Sequence, residues 1–263
     1  MDNYSAPITD LQFVIENLLG YDNISKLDQF GDVTPELCGA ILKEAAKFSD
    51  EILAPLNRIG DQQGCVLENG VVRTPEGFSD AYKKMIEAGW IGIAAPEEYG
   101  GQNLPTVITI AAFEMWSAAN TAFGLVPVLS QSAIDLMLEH ADRKLNQTYL
   151  HKMVSGEWTT TMNLTEPQAG SDLSLLRTKA EKKGDHYLIT GQKIYISGGD
   201  HDLSDNIVHL VLARLPDAPP GNRGISLFLV PKYLVKENGE LGERNDLRPI
   251  SLETKLGIHG NPT

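Results

Sequence analysis

The feature that most constrains this chain is a single change of period at Trp158. Before it, apolar residues recur every three or four positions, as one face of a helix demands; after it they roughly alternate, as a strand demands. One such change predicts two units, and the 263 residues suffice for both. The expected fold class is therefore an α+β multidomain arrangement. An N-terminal all-helical domain covers residues 1–157, and an antiparallel β-barrel domain covers 158–263.

The clearest helical stripe is Leu37, Ile41, Ala45, Phe48, Ile52 and Leu56, within a helix predicted over 34–58. Thr34 suits its N-cap, and Pro35 suits the first helical position. Earlier and later helices are predicted over 9–19, stopping at Gly20, and from Ser79 to Ala88, stopping at Gly89. The segment WIGIAAPEEYGGQNLP, 90–105, breaks regular structure at Pro96, Gly100, Gly101 and Pro105. Helical stripes then resume through Met153. Past Trp158, strands are predicted at 159–164, 177–182, 186–190, 193–197, 207–214 and 224–230. Close spacing without intervening helices favours antiparallel pairing.

Charge follows the same division. Residues 1–157 carry 10 Lys+Arg against 22 Asp+Glu, and residues 158–263 carry 12 against 13, within a net charge of −13. Such a surface repels nucleic acid and acidic membranes, and no basic patch relieves it. No run of 18 apolar residues suggests a membrane span. Two cysteines, Cys38 and Cys65, have no metal spacing and read as free thiols of a reducing compartment, so the expected location is cytoplasmic. The acidic run Asp200, Asp202, Asp205 lacks the spacing of a cation loop and reads as solvated. No dinucleotide or phosphate-loop motif is present.

Two stretches carry chemistry. The first is MNLTEPQAGSD, 162–172, which must turn after a strand. Pro167 removes a donor, Gly170 permits close approach, and Ser171 and Asp172 can cap a short turn at 173–176. Exposed N–H groups there favour an anion, while Thr165 ends the strand with a hydroxyl. A capped connection with no ligand satisfies the same pattern. The second is GQKIYISGGDHDLSDN, 191–206, where a strand would project Tyr195 and Ser197 to one side. A ring beside a hydroxyl suits a flat, polar-edged ligand; a tyrosine hydrogen-bonded inside a barrel core fits equally well.

Thr165-Glu166-Pro167, Ala169-Gly170-Ser171-Asp172, Gly191-Gln192-Lys193, Ile196-Ser197 and GISLFLVP at 224–231, in this order, resemble the signatures of the acyl-CoA dehydrogenases. APEEYGG at 95–101 fits the helical half, and SDLSLLRTKA and KLGIHGNPT are closest to the long-chain-length branch. The resemblance implies a helical domain, a β-barrel and a C-terminal helical bundle that would follow Thr263, with FAD between them. It implies α,β-dehydrogenation of an acyl-CoA thioester, 3-methylmercaptopropionyl-CoA or a fatty acyl-CoA, with electron-transfer flavoprotein as acceptor and a homo-oligomeric assembly. Motif by motif, it makes Thr165 a flavin contact, with Leu164 and Gly170 on the same turn. Ser171 becomes a phosphate or pantetheine contact, and Ser197 a partner near flavin N5. Tyr195 stands where a Trp commonly packs on the flavin, and Met162 where a Tyr or Phe often sits. The catalytic glutamate of the family would lie beyond Thr263, so no catalytic residue is assigned, and Glu166 reads as structural. The 263 residues alone are then expected to be inactive and to hold FAD weakly. The alternatives are a non-enzymatic truncated module and a DNA-damage-associated flavoprotein of the same family; the missing basic patch speaks against the latter.

Overall fold

The computed structural model describes residues 4–263. Its first half contains eight α-helices: α1 (Ile8–Phe13), α2 (Tyr21–Ile24), α3 (Pro35–Phe48), α4 (Ala54–Gln63), α5 (Phe78–Glu87), α6 (Thr106–Ala119), α7 (Thr121–His140) and α8 (Arg143–Ser155). Thr34 caps α3 as expected, its hydroxyl accepting from Leu37 N at 3.2 Å. The predicted 34–58 helix runs on through a π-turn, Ser49–Leu53, into α4, because Pro55 cannot donate to the α-helical ladder. Leu37 departs from the expected stripe and is exposed. α7 has a hydropathy of 1.4 and the length to cross a membrane, and half of it is buried inside this fold.

The helical half is not all-helical. A hairpin of β1 (Val66–Glu68) and β2 (Val71–Arg73) interrupts it. Asn69 and Gly70 make its turn with φ of +53° and +75°, the left-handed pair that a two-residue hairpin requires.

The second half holds β3 (Trp158–Asn163), β4 (Lys179–Lys183), β5 (His186–Thr190), β6 (Asn206–Arg214), β7 (Ile225–Pro231), β8 (Tyr233–Val235) and β9 (Leu241–Arg244). The expected closed antiparallel barrel does not form. β6 pairs in parallel with β3, antiparallel with β7, and in parallel with β4 at Arg214 alone, while β8 and β9 make a separate pair. Forty-odd residues separate β3 from β6, ample for the crossover that parallel pairing needs. The strand expected at 193–197 is absent: Tyr195 has φ of +60°, which breaks a pleated chain.

One apolar core spans both halves. Trp116, Phe123, Ile108 and Met115 from the helices share it with Trp158, Val208 and Leu210 from β3 and β6. Residues 158, 160 and 162 of β3 face the helices: Thr160 Oγ1 donates to Leu129 O at 2.8 Å, and Met162 packs against the core. Residues 159, 161 and 163 face the other way, alongside Ile207, His209 and Val211 of β6.

Candidate functional site

β3 ends at Asn163, and the chain turns at once. Glu166 and Ala169 exchange backbone hydrogen bonds of 2.8 and 3.0 Å, closing a tight loop around Pro167. The Glu166 side chain folds inward, away from solvent. Its carboxylate accepts from Arg177 N (2.8 Å), Thr178 N (3.0 Å), the Thr178 hydroxyl, Gln168 Nε2 and Lys193 Nζ (3.0 Å). The Lys193 and Glu166 side chains are 8% and 3% exposed, so this ion pair is buried. Burial alone would raise the Glu166 pKa. Donation from Thr178, Arg177 and Lys193 outweighs it and holds the carboxyl at about 2. Burial likewise draws the Lys193 ammonium below its ordinary range, against the pull of the carboxylate.

Lys193 also donates to Leu164 O at 3.0 Å, and Ile194 N donates to Thr165 O at 3.0 Å. The 193–198 segment therefore runs beside the end of β3. Gly191 makes this possible, since a Cβ there would come within 2.3 Å of the Thr178 hydroxyl that serves Glu166. The far end of the turn is held by Arg214. Its guanidinium donates to Leu176 O, Ser174 O and Gly221 O, each at 2.8 Å. Asp172 caps the 3₁₀ turn Leu173–Leu175, accepting from Ser174 N at 2.9 Å, as the sequence suggests.

Between these two anchors, the turn shows its donors outward. Among the described residues, no oxygen accepts from the backbone N–H of Gly170 or Ser171, and both residues are exposed. Thr165 is half-buried, and its hydroxyl makes no hydrogen bond among the described residues. A Cβ added at Gly170 would meet Thr165 Cγ2 at 3.8 Å and nothing nearer, so that side is open. No group of three or more His, Cys, Asp or Glu among the described residues could hold a metal ion.

Two models of one family cover most of the chain: "Acyl-CoA dehydrogenase, N-terminal domain" matches residues 38–157, and "Acyl-CoA dehydrogenase, middle domain" matches 161–263. The chain belongs to the acyl-CoA dehydrogenase family. Among curated relatives, the 3-methylmercaptopropionyl-CoA dehydrogenase of Ruegeria pomeroyi is 47% identical over 261 residues, 99% of this chain and 44% of that protein. A butyryl-CoA dehydrogenase of Syntrophomonas wolfei is 36% identical over 268 residues, 100% of this chain and 44% of that protein. The chain thus spans less than half the length of the curated relatives it matches. Among solved structures, the acyl-CoA dehydrogenase from Geobacillus kaustophilus matches with a TM-score of 0.66 and 26% identity, covering 86% of this chain and 53% of that one.

In this acyl-CoA dehydrogenase fold the residues singled out by sequence fall into two adjoining segments. Leu164, Thr165, Gly170 and Ser171 share the turn. Tyr195 and Ser197 lie on the neighbouring loop, but not as strand residues projecting together. Tyr195 is 47% exposed, which removes the reading of a tyrosine inside a barrel core. Met162 packs toward the helical half rather than into the turn. Asp200 is no solvated loop residue: it is buried and paired with Lys232 at 2.5 Å and Arg244 at 3.6 Å. Asp202 reaches back to the helical half, accepting from Thr74 N and Oγ1 at 3.1 and 2.7 Å.

Sequence reasoning missed the segment Glu253–Thr263. Asn261 accepts from Gly198 N (3.2 Å) and donates to Ala122 O (2.9 Å), while Gly199 N donates to Pro262 O (3.0 Å). His259 pairs with Asp61 at 2.9 Å, and Cys65 Sγ donates to Gly260 O at 3.3 Å. No local pattern foretells these contacts, because every partner is at least 50 positions away. The resemblance carried by KLGIHGNPT was the one visible sign.

Proposed function

We propose that this chain is the N-terminal and middle part of an FAD-dependent acyl-CoA dehydrogenase, which converts an acyl-CoA thioester to its enoyl-CoA. One observation carries the reading. The turn at 164–172 is clamped from behind by Glu166 and Arg214, so that its exposed Gly170 and Ser171 leave their N–H groups without acceptors among the described residues, while Ile194, on the loop that carries Ser197, bonds Thr165 O.

The residues present fit FAD. Gly170 and Ser171 would hold pyrophosphate oxygens through backbone N–H groups, which suit anions without a cationic side chain. Thr165 and Ser197 would hold polar edges of the ring system. When bound, FAD supplies the hydride acceptor for the substrate β-carbon. The chain's own part is to bind, to orient and to keep the loop rigid. Glu166 is not the base that takes the α-proton. Five donors surround its carboxylate, and a pKa of about 2 leaves it too weakly basic near neutral pH. The base is to be sought in the part of its relatives' length that this chain does not span.

The similarity at 47% identity supports 3-methylmercaptopropionyl-CoA as the first substrate to try, with butyryl-CoA next. Electron-transfer flavoprotein as acceptor, a homo-oligomeric state and a cytoplasmic location complete the proposal. The test is anaerobic mixing of the complete gene product with these thioesters. Bleaching of the flavin absorbance is the expected result. A flavin that stays oxidised with every acyl-CoA tried would reject the assignment.

A further inference from the structure

The loop that carries Tyr195 and Ser197 is held in an unfavourable shape. Tyr195 is a non-glycine residue at φ of +60°, a conformation that persists only where the surroundings impose it. Its ring is too exposed to impose anything. The constraint comes from segment 253–263, which closes on itself through Glu253 N to Thr263 O (2.8 Å). Asn261, 3% exposed, and Pro262 fix Gly198 and Gly199 from one side. Lys255 fixes the other: its ammonium donates to Tyr195 O at 3.3 Å and to Ser197 Oγ at 3.4 Å.

The second of these contacts has a chemical consequence. An ammonium has donors and no acceptor, so it occupies a lone pair of the Ser197 oxygen and cannot receive its proton. No other group among the described residues bonds that hydroxyl. Its proton is therefore not taken up by Lys255 and is available to a ligand. We infer that Lys255 is a positioning residue, which leaves the Ser197 hydroxyl proton free for donation to the bound flavin and places a positive charge behind that bond. This rests on the FAD reading above. A donor backed by a cation favours a ligand that gains electron density on reduction, so the effect falls on flavin potential as well as affinity.

The test uses the complete gene product as wild type, Lys255→Met, Lys255→Arg, Ser197→Ala and the Lys255→Met/Ser197→Ala pair. FAD affinity is read by fluorescence quenching, and the flavin reduction potential by dye equilibration. Thermal unfolding of the FAD-free proteins checks folding. Lys255→Met is expected to weaken FAD binding about tenfold and to make the potential more negative, with Lys255→Arg close to wild type. Most of the Lys255→Met effect should vanish in the Ser197→Ala background, because Lys255 acts through that hydroxyl. Wild-type protein that binds FAD while Lys255→Met matches it in affinity and potential overturns this inference and leaves the FAD reading standing. Additive effects in the double variant overturn the route through Ser197. Wild-type protein that binds no FAD overturns both.

Discussion

Replacing Glu166 with alanine is expected to cost about 3–5 kcal/mol of stability, the range for breaking a buried ion pair from one side. The loss is large because Lys193 stays behind with its ammonium 8% exposed and no carboxylate to face. The backbone N–H groups of Arg177 and Thr178 lose their acceptor at the same time. Urea unfolding measures the effect. The companion variant Glu166→Ala/Lys193→Met should recover part of it, since no unpaired charge is then buried. A loss below about 1 kcal/mol in the single variant, typical of an exposed pair, would mean that the turn is not clamped in this way.

The second large effect is acid sensitivity from two buried histidines. His201 accepts from Leu203 N through Nδ1 and so donates through Nε2 to Thr159 Oγ1 at 3.0 Å. His209 Nδ1 lies 2.7 Å from Thr161 Oγ1, whose own proton goes to Asn163. His209 Nε2 is then a buried acceptor with no partner among the described residues. Burial, followed by the nearby Lys232 charge, lowers the two pKa values to about 3 and about 4. A base whose pKa falls on folding leaves stability intact at high pH. As pH drops below the unfolded value near 6.5, the unfolded chain takes up protons that the folded chain refuses, and stability falls until the folded pKa is reached. Between pH 7.5 and 5.5 the two groups together should cost on the order of 3 kcal/mol. Glu166 extends the loss below pH 4.5 toward its folded value of about 2, because its carboxylate must then be protonated. Urea unfolding at the two pH values checks the histidine part. Equal stability at both would show that His201 and His209 can be charged in the folded protein.

How much of this was legible depended on how far each cause sits along the chain. The division at Trp158 was visible because periodicity is local, and β3 begins at that residue. Thr34 and Asp172 were readable as caps for the same reason. The turn at 164–172 was visible from Pro167 and Gly170, and Glu166 was rightly read as structural. Its partner Lys193, 27 positions on, was not readable. Ile194-Tyr195-Ile196 has strong strand propensity, but contacts from Lys255 and Asn261 bend it out of any sheet, a tertiary override of a local preference. The β1–β2 hairpin carried its Asn-Gly signal openly; strands of three residues are too short for alternation to confirm it. The parallel pairing of β3 with β6 escaped because no helix marks the crossover, only the β4–β5 hairpin and irregular chain.

The central claim is that the clamped turn presents an anion-binding edge to a flavin dinucleotide. Equilibrium titration of the complete gene product, stripped of ligand, with FAD and with riboflavin tests it most directly, because riboflavin has the same ring and no phosphate. FAD is expected to bind more than about tenfold tighter, with the difference assigned to donors such as Gly170 N and Ser171 N. Equal affinity for the two compounds, or no binding of either, would contradict the account.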